Sequence, residues 1–134
     1  MQTFIPYSNF DWSAFVLDDK RLGNQFYNEG QVLLRGGWPN HPASKMWRGY
    51  HFALGCYLLA CARELHRRGR FYPEHINTTW QVMNLDRERR MPPWIGDERV
   101  HSSHRANLLR KDPQHYGQFN WTEQPTEGYF WPVQ

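Results

Sequence analysis

Apolar positions recur along this chain at helical rather than strand spacing. Over residues 13–34, Leu22, Phe26, Glu29 and Leu33 stand four, three and four apart, while Arg21, Gln25 and Asn28 line a neighbouring face. That pattern predicts a helix, weakened by Gly23 and Gly30 and ended by the run GGWPN at 36–40. His41 and Pro42 open a second and longest helix, because proline is tolerated in a first helical turn. Ala43, Met46, Trp47, Tyr50, Leu54, Tyr57, Leu58, Cys61 and Leu65 keep its period for about seven turns, to a cap at Gly69. Lys45, Arg48 and Gly55 lie on its opposite side. A shorter helix with Trp80 and Met83 is expected to be capped by Asn77 or Thr78, and a last helix spans 102–111, stopped by Asp112 and Pro113. Residues 1–11 read as an extended arm with a turn, and the tail from Tyr116 to Pro132 as aromatic and irregular. No strand alternation and no internal repeat persists. The expected fold is therefore all-α: one compact domain over 1–134, a bundle of three to four helices with an extended N-terminal arm and an irregular C-terminal tail.

Composition narrows the chemistry. The chain has 134 residues, 40% hydrophobic and 22% charged, ordinary globular usage that argues against disorder. Aromatic residues reach 16%, more rings than a core of this size needs. The net charge is only +3, but 13 of the 16 basic residues are Arg. Guanidinium groups contact phosphate in pairs and stack on flat rings, which suits a nucleic-acid partner. Cys56 and Cys61, five apart on a helix, point away from each other and read as reduced thiols. No apolar stretch has the length of a membrane span, and the start MQTFIPYSNF lacks the layout of a secretion signal, so an intracellular, cytoplasmic protein is expected. Serine-hydrolase, phosphate-loop and dinucleotide-binding motifs are absent. His101 and His104, one turn apart, have metal-ligand spacing without a completing cluster, so hydrogen bonding near a helix start is expected and no metal or cofactor.

The segments VLDDKRLGNQ (16–25), NHPA (40–43) with MWRGY (46–50), His104-Arg105 with LLRKDP (108–113), Tyr116 and the closing YFWP (129–132) resemble the pyrimidine-dimer excision family of DNA glycosylases, to which phage endonuclease V belongs. The resemblance implies a compact helical monomer acting on double-stranded DNA that carries a damaged or modified pyrimidine. It also implies a base flipped from the helix, a cut glycosidic bond and a nick at the abasic site, without a metal. The nucleophile is then the chain's own α-amino group, whose pKa near ~7.7–8.0, against ~10.4 for lysine, leaves it partly neutral at physiological pH. A carboxylate on the first helix stabilises charge on the sugar.

Two positions depart from that pattern. Counting from Arg21-Leu22, the carboxylate falls on residue 28, where this chain has Asn28, with Glu29 beside it. Neighbouring helical residues differ by about 100°, so Glu29 inherits the geometry only if the helix is rotated or distorted near Gly30; otherwise it is a half-buried structural residue. Secondly, Gln2 is large, so Met1 is expected to stay and to carry the amine; Gln2, exposed by trimming, would cyclise. The candidate catalytic set is Met1, Gln2, Asn28 and Glu29. Lys20, Arg21, Lys45, Arg48, Arg105, Arg110 and Lys111 match family positions as phosphate contacts, with a salt slope of roughly −6 for seven contacts. Arg21 and Gln25, sharing a face with Asn28, are the candidates for reaching the lesion or the extruded base. The alternative is a family member that binds damaged DNA without cleaving it, which Asn28 favours. A protein-interaction domain is the remaining reading.

Overall fold

The computed structural model describes residues 1–133, and among them every regular element is helical. Local caps cut the two long periodic runs into pieces. Helix α1 (Phe10–Val16) begins where the Asn9 side chain accepts from the Trp12 backbone N–H at 2.9 Å, and it ends at the extended, buried Leu17. The carboxylate of Asp18 then caps α2 (Asp19–Asn24) by accepting from the Arg21 N–H. The single helix expected over 13–34 is thus interrupted at residues 17 and 18. Beyond α2 the chain continues without a break through a π-helical turn (Gln25–Glu29) into α3 (Gly30–Leu34).

The long second helix is also divided. The His41 ring caps α4 (Pro42–Trp47), its Nδ1 accepting from the Ala43 N–H at 3.0 Å. Gly49, at φ +82°, turns the chain before α5 (His51–Arg67). The end of α5 is closed as expected around Gly69, where the Arg70 N–H reaches back to Leu65 O at 2.8 Å. Helix α6 (Ile76–Met83) uses neither Asn77 nor Thr78 as a cap; it starts from His75 in the left-handed region, and the buried Thr79 hydroxyl donates to His75 O. Helix α7 (Glu98–Lys111) starts four residues earlier than expected because Asp97 caps it. Helix α8 (Pro113–Tyr116) and a 3₁₀ turn (Gly117–Phe119) follow. The all-α class holds, with more helices than three to four.

Helix α5 is the hub. Leu54, Tyr57, Leu58, Cys61 and Leu65 are buried along it, each large apolar side chain contributing about 1.5–3 kcal/mol. Helices α1 and α4, the π turn with α3, and α6 pack around it. Both cysteines are free, and burial pushes the Cys61 thiol up to about 12, so it stays protonated and unreactive. The tail lies on α7 through Asn107 Nδ2 donating to Gly128 O at 2.6 Å, and Tyr116 stacks on Trp121 at 5.7 Å.

Gly55 is where α6 meets α5: a Cβ there would stand 2.4 Å from Met83 Cβ. In an open helix, Gly→Ala stabilises by about 1 kcal/mol. We expect that gain at Gly23, which has open space around it, and the opposite sign at Gly55, where Gly55→Ala should cost about 1–3 kcal/mol by overpacking. Urea unfolding of the two variants checks both signs.

Candidate active site at the chain N-terminus

The N-terminal arm is a buried strap. Its backbone lies in no sheet, so its polar groups need side-chain partners, and distant helices supply them. Trp47 Nε1 donates to Thr3 Oγ1 at 2.9 Å, and the Tyr57 hydroxyl lies 2.8 Å from Phe4 O. His104 Nδ1 accepts from the Ile5 N–H at 2.9 Å while His101 Nδ1 lies 2.8 Å from Ile5 O. His101 Nε2 accepts from the Gly96 N–H, which makes its Nδ1 the donor to Ile5. The Arg105 guanidinium holds Pro6 O at 2.7 Å, and Ser13 exchanges two hydrogen bonds with Tyr7. The histidine pair does hydrogen-bond near a helix start, but its partner is the arm. Among the described residues no three His, Cys, Asp or Glu side chains gather as a metal site.

The π turn sets where the helix carboxylate goes. Its signature is the Gly30 N–H bonded to Gln25 O, five residues back instead of four. One extra residue per turn delays every following side chain by up to about 100°. Gly30 therefore enters the buried stripe of Leu22 and Phe26 at the place Glu29 would have taken, and Glu29 swings toward the face expected of residue 28. Asn28 is carried out into solvent, where it bonds Asn24. Gly30 packs so closely that a Cβ would be 2.1 Å from Gln25 O and 2.2 Å from Leu58 Cδ2.

Glu29 and Met1 line one cleft of about 180 Å³, with Phe4, Lys20, Arg21, Lys111 and Tyr129 among its other walls. Arg21 is steered by Asp18, whose carboxyl is raised by burial but lowered further by hydrogen bonds from Tyr116 and Arg21. Burial lowers the pKa of Lys111, and the charges of Arg110 and Arg21 lower it further. Burial likewise lowers His41, with the α-amino group next in effect and Glu29 opposing, which sets His41 within electrostatic reach of both.

The expected site residues separate into three groups. Met1, Glu29, Lys20, Arg21 and Lys111 meet at the cleft, with the buried Gln2 and Gln25 forming part of its wall and Arg110 adjacent to Lys111. Gln25 does not face solvent with Arg21 and Asn28: it is 1% exposed, and its amide is fully occupied inside the protein. Arg105 is likewise engaged, by Glu98, Glu123 and Pro6, and Gln2 is buried. Arg48 bonds Pro39 O, and Lys45 lines a separate cavity with Tyr50 and Trp94. Sequence reasoning missed Tyr129 and His41 as neighbours of the site; the quoted YFWP and NHPA segments contained both without indicating where they fold.

The family model described as pyrimidine dimer DNA glycosylase matches residues 1–82, from the arm through the π turn and α5 into α6. The chain belongs to the pyrimidine dimer DNA glycosylase family. That is a DNA-repair family whose substrate is DNA containing pyrimidine dimers. No curated protein and no solved structure matches the chain. In this family member the matched region carries Met1 and Glu29, whereas Lys111, Tyr129 and the histidine clamp come from the part beyond it. No helix among the described residues is long and apolar enough to cross a membrane.

Two consequences are measurable. Gly30→Ala should lower unfolding stability by about 1–3 kcal/mol, since a methyl group cannot share space with Gln25 O and Leu58. His104 has its pKa lowered from 6.5 to about 3, first by burial and then by His101 and Arg105. Its native form must stay neutral, because a protonated Nδ1 would confront the Ile5 N–H. The unfolded chain takes up the proton first, so stability present above about pH 6.5 is lost as pH falls toward 3, at up to about 1.4 kcal/mol per pH unit. His104→Gln keeps an acceptor and cannot titrate, so it should flatten that slope in urea unfolding between about pH 7 and 4.

Proposed function

We propose that this chain is an intracellular, monomeric DNA glycosylase with abasic-site lyase activity, acting as one domain on damaged or modified pyrimidines in duplex DNA. Its nucleophile is the α-amino group of Met1 and its working carboxylate is Glu29. The observation that carries the reading is the π turn, which turns Glu29 rather than Asn28 into the cleft that Met1 lines. Met1 and Gln2 both line the cleft, and of the two it is Met1 that is part-exposed while Gln2 is buried, which supports the amine of Met1 as the group that meets substrate.

The chemistry follows from these groups. The neutral amine attacks C1′ of the sugar and the pyrimidine leaves with the bonding electrons and a proton. Glu29 stabilises the positive charge growing on the sugar during that step. Ring opening gives a Schiff base between Met1 and C1′. Removal of the C2′ proton by Glu29 then expels the 3′ phosphate by β-elimination, and water releases the enzyme. A strap held at Gln2, Thr3, Phe4 and Ile5 fixes the amine before substrate arrives, which supplies part of the advantage of an intramolecular reaction. Lys20, Arg21, Arg110 and Lys111 would hold phosphates around the lesion, while Lys45 and Arg48 reach flanking ones. The reading of a binder without cleavage rested on Asn28 at the carboxylate position, and the one-residue shift in register removes that support.

Borohydride reduction on an abasic duplex should trap a covalent adduct, and mass spectrometry should map it to Met1. Glu29→Gln should slow excision by about 10²–10⁴-fold with DNA affinity retained, and Asn28→Ala should leave both unchanged. An adduct on another residue, or none, would overturn the proposal.

A further inference from the structure

Gln25 uses every hydrogen-bonding capacity of its amide. Oε1 accepts from the Phe4 N–H at 2.9 Å and lies 2.7 Å from the Tyr57 hydroxyl; Nε2 donates to Gln2 O at 3.0 Å and to Glu29 Oε2 at 3.2 Å. The backbone N–H on one side and the carbonyl on the other leave only one orientation of this amide. The same residue begins the π turn, its own carbonyl taking the Gly30 N–H. One side chain thus grips the strap on both sides of Thr3 and the carboxylate at the far end of the turn.

We propose that Gln25 is the positioning residue of this site, fixing the distance and orientation between the Met1 amine and the Glu29 carboxylate through its simultaneous bonds to Gln2, Phe4 and Glu29. The inference rests on the activity proposed above and adds to it a residue that acts on the sugar only through the groups it holds, the strap that carries Met1 and one oxygen of the Glu29 carboxylate. A displacement of about 1 Å between reacting groups costs on the order of 10²-fold in rate, so the amide's effect belongs in kcat rather than in DNA affinity.

Gln25→Glu separates this role from simple core filling. It keeps the shape and the acceptor for Phe4 and Tyr57, and replaces the donor that faces both Glu29 and Gln2 O by a second carboxyl oxygen, which can donate to only one of them and only when protonated. Two carboxyls at that distance share a proton and titrate at higher pH. The other charged or titratable groups around Glu29 are Lys20 and Arg21 on α2, Lys111 on α7, Tyr57 on α5, the Met1 amine on the arm, His41 and Tyr129, and the substitution leaves them in place. In the full chain, the acid limb of the kcat–pH profile should move up by more than one pH unit, with KM for abasic duplex changed less than about threefold. Gln25→Met, which fills the space without hydrogen bonds, should lower kcat by about 10²-fold; circular dichroism establishes that both variants are folded. An unmoved acid limb in folded Gln25→Glu, or a loss confined to KM, overturns the proposal. ¹³C NMR titration of the Glu29 carboxyl, assigned with Glu29→Gln, provides a readout without DNA. Should the unsubstituted chain fail to trap abasic DNA, the activity proposal falls, and this titration alone decides the link: an upward move in Gln25→Glu supports it and an unmoved titration overturns it.

Discussion

A buried primary amide has two donors and two acceptor sites to satisfy, and each one left unpaired costs about 1–3 kcal/mol. Gln25 meets that constraint with partners from the strap, α5 and the π turn at once. No partner can move alone: shifting the arm unpairs Nε2 and Oε1, and unwinding the turn withdraws Glu29. Networks of this kind in a low-dielectric interior reinforce one another, so the arm, the turn and α5 behave as one unit.

The strap shows how a chain terminus is held rigid by side chains alone. Chain ends fray unless tied down. Here Ile5 is held on both polar sides by two imidazoles from α7, Phe4 by Gln25 and Tyr57, Thr3 by Trp47. The sequence separation of these ties, up to 99 residues, means that the site forms only when the whole fold has closed. Stability and site geometry are coupled for that reason, and neutrality of the buried His104 is part of both.

Much of the arrangement could be read from the residues in order. The helical period of Leu54, Tyr57, Leu58, Cys61 and Leu65 identified the hub, and the segments around Asp18–Gln25 and NHPA–MWRGY indicated the family to which the chain belongs. The number of helices was less accessible. Asp18 and Asp97 are good caps in any sequence, but whether a cap cuts a periodic run depends on what Leu17 and Gly49 must pack against. The surroundings of each basic residue were hidden for a similar reason: Arg105 and Lys111 look alike in the sequence, and only the fold ties one to Glu98 and Glu123 and leaves the other on the cleft.

Helical class, hub helix, unpaired cysteines and family were all legible in the order of residues, because periodicity and ordered motifs are properties of neighbours along the chain. Only the folded chain settles which of two adjacent residues, Asn28 or Glu29, lines the cleft. A bond from Gly30 to Gln25, five residues back, is compatible with the same apolar spacing as an ordinary turn, and it persists because Leu58 presses on Gly30 and the strap occupies the Gln25 amide. Those forces come from parts of the chain that no local pattern connects, and they alone turn Glu29 into the cleft and Asn28 out of it.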